Sequence, residues 1–446
     1  MKKGMFFALA ASSLLFSACS SDDAVVSTEG QNEAVQQIVL QVASSGDGLT
    51  TRAGRPLYSS AALQSIENVR FLIYKNDGTN TVVYDSKKTD WTKSVKYDNT
   101  TGHGRQITIT FKGEQKLTEG NYKVIAVGYS NESKYTFTPN VDGTDAITAY
   151  EDIKATLAAG NAAEEVFAGE AEVKVDSKQQ ITNKTTNENG VAVTMHRQVA
   201  GAFGYFTNIP ASVDGKTAKT LRLVVRGKND VLTFNNFNSA FTTNTPLKYA
   251  VNGSTSTGAA LNTTDKFFNG DAGYVLYSID LTKWYKNGDT NKDGLLTKDD
   301  GWTHPTDVKT TLVQGSVFGS NFIIPFELTT GKNTMELQLL AEDGTIIKTW
   351  NVSIPSEDVN DNETLGKKDE SASIFNVVRN HMYNLGVKAS NGTTDPEPGK
   401  PDPEPGKPDP ENPDPGTDQP EDLSKGQNLI LKVNDNWEAI HQMELD

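Results

Sequence analysis

Oxygen-bearing side chains with the spacing of a calcium-binding loop lie in DTNKDGLLTKDD, residues 289–300. Calcium takes about six to eight oxygen ligands, and a loop of this kind supplies them from alternate positions and from its last residue. The expected ligands are Asp289, Asn291, Asp293, the main-chain carbonyl of Leu295, Thr297 and Asp300. Gly294 permits the sharp turn, and Asp300 replaces the usual terminal Glu. The spacing predicts a structural calcium site; the alternative is a polar connection between strands that is rich in turn residues.

Residues for catalysis form no constellation in the sequence. It contains no GxSxG or HExxH motif and no glycine-rich phosphate loop. The histidines are scattered without ligand spacing, at His103, His196, His304, His381 and His441. His196 and His381 fall in strand-like segments, where a structural role is more frequent than a catalytic one. We therefore expect a protein that is not an enzyme and requires no cofactor, with calcium as a structural ion.

Chemistry of another kind is expected at Cys19, the single cysteine of the chain. Two lysines, an apolar run from Met5 to Phe16 and small residues precede it, a pattern typical of a bacterial export signal. The run is too short to span a membrane. Leu15–Cys19 resembles a lipoprotein signal, with Phe16 in place of the usual Leu, and Ser20–Asp23 resembles the acidic surface-export tag of Bacteroidetes lipoproteins. Residues 1–18 would be removed and Cys19 acylated; the alternative is a plain signal peptide with an incidental cysteine.

The composition favours an all-β chain. Its 446 residues are enough for two or three cores, and its mean hydropathy is −0.49. Asn, Thr, Gly and Ser are abundant, whereas runs of helix-forming residues are scarce. The net charge is −15 and no basic stripe offsets it. Nucleic acid is therefore excluded as an expected partner.

Strand signals recur along most of the chain. Segments such as NVRFLIYKNDG, RQITITFKG and KTLRLVVRGKND alternate apolar and polar residues and stop at turn residues. Helical pattern is limited to short stretches near Ser59–Ile66 and Ala149–Ala158. This organisation predicts two β-sandwich domains, residues 53–190 and 191–394, with the boundary at the polar break TTNENG.

A proline-rich acidic segment follows the second predicted domain. PEPGKPD occurs twice in succession, at 396–402 and 403–409. Such a composition favours extended polyproline geometry, and roughly 28 residues of it would reach about 85 Å. We therefore expect a linker at 395–426 that carries a terminal strand at 427–446.

The two ends of the chain share one pattern. The last peptide alternates, and its apolar side comprises Leu429, Leu431, Val433, Trp437, Ala439, Met443 and Leu445. Near the other end, Ile38, Leu40 and Val42 belong to IVLQV, which matches LILKV at 429–433. Two such segments could occupy the same groove at different times, by strand addition that propagates head to tail between copies. The alternative is a terminal strand that folds back onto its own domain.

Exchange of this kind requires the early strand to be released. Arg52 and Ala53 lie in the polar segment TTRAG, ten residues after Val42. A basic residue in a polar loop is a natural site for a protease. Cleavage between Arg52 and Ala53 would separate residues 19–52 from the rest of the chain.

Taken together, the signal, Cys19, the early strand, Arg52–Ala53, the β domains and the final LKVNDNWEAIHQMEL resemble the Bacteroidales major fimbrillins. VTMHRQVAGAFGYF (193–206) and RNHMYNLGV (379–387) also look like that family. The resemblance implies transthyretin-like sandwiches and export to the outer membrane surface as a lipoprotein. It further implies an arginine-specific surface protease that removes the N-terminal strand, and a donor strand from the next subunit that replaces it. The expected product is an adhesive pilus, whose partners are other copies head to tail and the anchor and tip subunits.

The sequence leaves three alternatives open. The subunit could belong to the shaft or the tip, and its final strand could act on a neighbour or on its own body. The competing function is an anchored surface lipoprotein that keeps residues 19–52, binds a glycan or a host protein, and does not polymerise.

Overall fold

The structure is a computed structural model that describes part of the chain. The described residues are 35–43, 66–88, 91, 96–98, 103–130, 134–138, 153–158, 161–225, 229–234, 253–254, 262–267, 271–306, 308, 312–326, 335–353, 367–369, 374–375, 377, 379, 382–388, 418–426 and 428–434. No helix in these ranges is long and apolar enough to cross a membrane.

Nearly all regular structure in the described residues is β, which confirms the predicted all-β class. The strands are β1 Gln36–Ala43, β2 Asn68–Lys75, β3 Val82–Lys88, β4 Lys96–Asp98, β5 His103–Phe111, β6 Gly120–Tyr129, β7 Tyr135–Thr138, β8 Lys154–Leu157, β9 Val166–Val175, β10 Ile181–Asn183, β11 Val191–Arg197, β12 Ala200–Thr207, β13 Ile209–Pro210, β14 Ser212–Val213, β15 Lys216–Val225, β16 Val231–Thr233, β17 Gly253–Ser254, β18 Asn262–Phe267, β19 Asp271–Asp280, β20 Leu295–Leu296, β21 Ser316–Ile323, β22 Met335–Ala341, β23 Ile346–Ser353, β24 Lys367–Asp369, β25 Ile374–Phe375, β26 Met382–Leu385, β27 Glu421–Asp422, β28 Asn428–Ile430 and β29 Lys432–Asn434. Short 3-10 turns at Gly113–Gln115 and Leu281–Lys283 complete the regular elements of these ranges.

The first half of the chain forms a continuous path of strands in the order β3-β2-β6-β9-β11-β1-β5-β4. β11 joins the two parts of this path, since its last residues pair with β9 and its first residues pair with β1. At the β9–β11 crossing the backbones nearly touch, because a Cβ added at Gly169 would lie 1.9 Å from the carbonyl oxygen of Thr194. Glycine permits this approach, and the strands on either side of it close around one core.

The first hydrophobic core receives side chains from both ends of that path. Its buried members include Val69, Phe71 and Ile73 from β2, Val124 and Ala126 from β6, Ile109 and Phe111 from β5, Val191, Val193 and Met195 from β11, and Ile38 and Leu40 from β1. Because strands at both ends of the path share this cluster, the path folds over as a sandwich. β11 therefore packs with the first core, and β12 begins the strands of the second.

The second half of the chain supplies two larger sheets. Within the described residues, one has the order β18-β19-β15-β22-β23-β28 and the other β21-β12-β26-β29. β12 is buried along almost its whole length, which its apolar sequence AGAFGYF permits. The second core collects side chains of both sheets and also Leu72, Tyr74 and Ile125 from the opposite face of β2 and β6.

The helical expectation for Ala149–Ala158 is wrong over its described part. Lys154–Leu157 forms β8 and pairs with β7 and β16. Ala155 and Leu157 are buried on one face, and Lys154 is exposed on the other. This period of two, with two neighbouring strands, outweighs the helix propensity of alanine and leucine. The other stretch, Ser59–Ile66, lies outside the described residues except for Ile66.

A buried ion pair lies where β11 leads into β12. The Arg197 Nε donates to Glu165 Oε1 at 2.6 Å, and Arg197 and Glu165 are 2% and 0% exposed. The guanidinium also lies over the ring of Phe167, 5.0 Å from its centroid, and Arg379 donates to the Arg197 carbonyl. A charge in such a place needs its counter-charge, so this pair fixes the turn between the two halves.

We expect Glu165→Ala to destabilise the fold strongly. The change leaves the buried guanidinium without its carboxylate, which costs roughly 3–5 kcal/mol of unfolding free energy. Urea unfolding followed by circular dichroism measures this loss. The control is Glu342→Ala, which removes the exposed pair of Glu342 with Lys219 and should shift the midpoint little. Equal effects of the two variants would contradict the assignment.

Candidate functional site

The candidate site is the place that β1 occupies between β5 and β11. β1 runs parallel to β11, from Ile38↔Val191 to Val42↔Met195, and antiparallel to β5, from Gln36↔Phe111 to Ala43↔His103. In the described part of the chain, β5 and β4 join the rest of this sheet only through β1. Removing β1 would therefore open two hydrogen-bonding edges that face each other.

The buried face of β1 closes the first core. Ile38 and Leu40 are both 0% exposed, and Val35, just before the strand, is 67% exposed. Fully burying a side chain of this size contributes roughly 1.5–3 kcal/mol. Loss of the strand would leave an apolar groove floored by the side chains that now cover Ile38 and Leu40. These residues thus lie where the sequence pattern predicted a removable strand, and Val42 continues the β11 ladder.

Gln36 holds the start of β1 in place with its side-chain amide. Its Oε1 accepts from the main-chain N–H of Leu117 at 2.7 Å, and its Nε2 donates to the Leu117 carbonyl at 2.9 Å and to the Gln179 carbonyl at 3.0 Å. Gln36 is 0% exposed. Sequence reasoning missed this residue, because a count of apolar alternation ignores polar positions.

The C-terminal segment lies on the second half of the same chain. β28 runs parallel to β23, with Val352↔Leu429, and β29 runs antiparallel to β26, with Tyr383↔Val433. Leu429 and Leu431 are 1% and 0% exposed in the second core. The segment 428–434 thus passes from one large sheet to the other. For these residues the structure describes the arrangement in which the strand returns to its own body.

The proline-rich linker leaves and rejoins the fold at one place. Val387 and Gln419 exchange two main-chain hydrogen bonds, both 2.8 Å. Beside them, Lys388 Nζ lies 3.0 Å from Asp418 Oδ1, and the Tyr205 hydroxyl donates to Asp418 Oδ2 at 3.0 Å. Burial, helped by the charge of Asp418, raises the pKa of Tyr205 to about 12, so its hydroxyl keeps the donated proton. We call this contact the linker clamp (Tyr205, Val387, Lys388, Asp418 and Gln419).

The chain stays attached for several residues after the clamp. Both β26 and β27 pair in parallel with β12, β26 along its middle and β27 at its end. The main-chain N–H of Leu423 then donates to the Thr207 carbonyl. Leu423 is 0% exposed in the second core. Asp422 then caps a turn by accepting from Ser424, and Gly426 has a φ of +65°. Sequence reasoning missed the clamp and this return, because their members are far apart in the chain and carry no local motif.

The predicted calcium loop brings its acidic side chains together. Carboxylate oxygens of Asp289, Asp293 and Asp300 lie within 4.8 Å of one another. Gly294, with φ +85°, makes the turn and donates its N–H to Asp289 Oδ2 at 2.9 Å. The other oxygen of Asp289 is buried without a hydrogen-bond partner in the structure. These residues fit the oxygen-rich coordination that calcium prefers.

Asp300 is the anchor of this loop. It is 0% exposed, and its oxygens accept from the main-chain N–H groups of Thr290, Asn291 and Thr297. Burial alone would raise the pKa of Asp300, but the hydrogen bonds from these three residues lower it below its usual value. The carboxylate is therefore charged at neutral pH, as a calcium ligand must be. Calcium binding itself stays a prediction.

Several predicted site residues lie outside the described residues. They are Cys19, Arg52, Ala53, Trp437, Ala439, Met443 and Leu445. Lipidation, cleavage and the second half of the donor strand therefore stay predictions.

We expect calcium to raise the thermal unfolding midpoint, because an ion bound to the folded loop adds stability. The gain is about 2.7 kcal/mol at a free calcium concentration of 100 times Kd. Asp289→Asn should abolish the gain, since it removes a ligand charge but keeps an oxygen for the Gly294 N–H. Differential scanning calorimetry with calcium or a chelator measures the shift in the unfolding midpoint. Asp299→Asn is the control in the same loop, outside the ligand set. Identical midpoints of the unsubstituted chain with calcium and chelator would contradict the site.

The linker clamp predicts that Val387→Cys with Gln419→Cys forms an intramolecular disulfide. Residues of a hydrogen-bonded antiparallel pair have Cα atoms about 5.5 Å apart, within the disulfide range of about 4.4–6.8 Å. A chain that begins at Ser20 contains no other cysteine. Non-reducing electrophoresis should show a monomer of altered mobility, with Val387→Cys alone as control. Intermolecular dimers alone would mean that the linker does not return.

No family model and no curated protein matches the chain. Among solved structures, a fimbrial assembly protein from Parabacteroides distasonis is 14% identical, with a TM-score of 0.34 over 80% of this chain and 92% of its own. The fimbrial anchor protein Mfa2 from Porphyromonas gingivalis is 10% identical, with a TM-score of 0.35 over 79% of this chain and 90% of its own. The chain is thus similar to bacterial fimbrial proteins, the class that the sequence resemblance indicated. At these scores the similarity carries no argument about function, and the proposals below rest on the strands themselves.

Proposed function

We propose that the protein is a structural subunit of a surface pilus that supports adhesion. In this proposal an arginine-specific protease cuts between Arg52 and Ala53 and frees the lipidated segment 19–52. The C-terminal segment of another copy then takes the place of β1. The subunit reaches the surface of the outer membrane through Cys19 before the cut, and its partners are further copies, an anchor and a tip subunit.

The observation that supports this most is the position of β1. A strand near the start of the chain lies between two others, so its loss creates a groove with two open edges and an apolar floor. Open strand edges of this kind are ready templates for pairing with another strand. Strand addition meets this need, with main-chain ladders for affinity and alternate side chains for specificity.

The position of Leu429 and Leu431 makes exchange energetically feasible. Both are buried in the chain's own second core, and both would be buried again in a neighbour's first core. Their burial, roughly 1.5–3 kcal/mol each, therefore nearly cancels between the two states. What remains is the difference between covering the emptied groove and uncovering the edges of β23 and β26 that the segment now pairs with.

The geometry of this contact is head to tail. The groove belongs to the first core, and the donated segment leaves from the second half of the chain. A contact between two different surfaces of identical subunits propagates along a line unless the rotation closes a ring. A filament is the expected product.

The proposal predicts that cleavage of a chain beginning at Ser20 with an arginine-specific protease gives multimers. They should appear as a ladder on a denaturing gel run without boiling, because strands held by two ladders dissociate slowly. Arg52→Ala should prevent the ladder, and deletion of residues 427–446 should abolish it after normal cleavage. Circular dichroism of each variant confirms that it is folded.

Two outcomes would contradict polymerisation. Resistance of Arg52 to the protease would favour the anchored lipoprotein that binds a glycan or a host protein. Cleavage that yields only monomer would indicate a tip subunit, or a C-terminal segment that stays on its own body.

A further inference from the structure

The match between the two ends of the chain extends beyond the apolar residues. QQIVLQV at 36–42 aligns without gaps on QNLILKV at 427–433. Three positions are identical: Gln36 with Gln427, Leu40 with Leu431, and Val42 with Val433. The first of these pairs is polar and cannot be explained by apolar alternation.

In β1, Gln36 and its neighbour Gln37 have opposite environments. Gln36 is buried, and its amide hydrogen-bonds to the main-chain N–H and the carbonyl of Leu117. Gln37 lies on the exposed side and donates to Thr110 Oγ1 at 3.3 Å. Leu117 itself is 5% exposed. An occupant of the groove without an amide at the place of Gln36 would leave a buried N–H and a buried carbonyl without partners.

We infer that Gln427 of a second copy takes the place of Gln36 and fixes the register of the exchanged strand. This rests on the proposed strand exchange and names the residue that positions it. Gln427 then makes the amide contacts with Leu117 and Gln179. Leu429 and Leu431 follow in the places of Ile38 and Leu40.

Other registers are disfavoured for separate reasons. A slip by one residue turns the apolar side chains away from the core. A slip by two keeps them inward but sets Leu429 against the main-chain groups of Leu117, which it cannot satisfy. The amide therefore distinguishes registers that the apolar pattern alone treats as equal.

The remaining polar position keeps a hydrogen-bond donor in this register. Gln41 Nε2 donates to Thr194 Oγ1 at 2.9 Å. Lys432 stands at the same place in the aligned segment, and its ammonium group is likewise a donor. Donor replaces donor, so Thr194 keeps a partner.

The first experiment grafts the late segment into β1, where folding does not depend on exchange. The graft carries Gln37→Asn, Ile38→Leu, Val39→Ile and Gln41→Lys. Its melting temperature should stay within a few degrees of the parent, because the buried amide of Gln36 and apolar side chains at positions 38 and 40 are kept. Adding Gln36→Ala should lower it by about 2–8 °C, whereas alanine at position 37 should not change it. A graft that is strongly destabilised, or insensitive to Gln36→Ala, overturns the inference.

The second experiment tests the segment in trans. A fluorescent peptide of residues 426–446 is added to the protease-treated chain that lacks residues 427–446, so that no copy can fill the groove with its own segment. Binding is followed by anisotropy. Gln427→Ala in the peptide should weaken binding roughly tenfold, which corresponds to about 1.4 kcal/mol. Asn428→Ala, the counterpart of exposed Gln37, should bind like the unsubstituted peptide.

The outcomes separate the inference from the proposed function. An unsubstituted peptide that does not bind overturns strand exchange itself. Binding that is equal for the Gln427→Ala peptide overturns only the role of Gln427. A tenfold loss confined to Gln427→Ala supports both.

Discussion

The first sandwich depends on one strand that the chain supplies from its N-terminal end. β1 satisfies the edges of β5 and β11 at once and places Ile38 and Leu40 in the core between them. Within the described residues no other strand connects these edges. The interaction is strong, and a strand from another chain can make it equally well, because main-chain ladders do not depend on which chain provides the strand. A site of this kind joins folding to assembly, since whatever fills it completes a domain.

The second core shows where a segment with the pattern of β1 can lie before the proposed exchange. Residues 428–434 cover the edges of β23 and β26 with short ladders of three residues each, whereas β1 pairs with β5 over seven positions. A short ladder is easier to break than a long one, while the apolar side chains of the two segments are buried equally well where each segment lies. In the proposed exchange the segment therefore leaves a site with short ladders for one with longer ladders. This difference gives the exchange its direction.

The sequence allowed the strand elements to be predicted, because alternation is a local property of β-strands. β1 and the described part of the final strand, residues 428–434, were predicted in this way, whereas the loop at 289–300 was predicted from the spacing of its oxygen-bearing residues. Their partners could not be predicted, since pairing between Ile38 and Val191 depends on contacts far apart in the chain. Gln36 was missed for the same reason, because its partner is the main chain of Leu117. The helix expected at Ala149–Ala158 failed where two neighbouring strands outweighed local propensity.

The linker clamp changes what the proline repeats can do. An extended linker attached to the second half of the chain at one end only would let a donor strand reach a distant subunit. Here the buried contact of Lys388 with Asp418, and Leu423 in the core, hold the returning chain on the body it left. Only the chain beyond Gly426 is then available for exchange, and Gln427 is its first residue. If Gln427 takes the place of Gln36, the neighbouring groove must begin beside the clamp. Subunits joined in this way would touch directly, and the length of the proline repeats would not set their spacing.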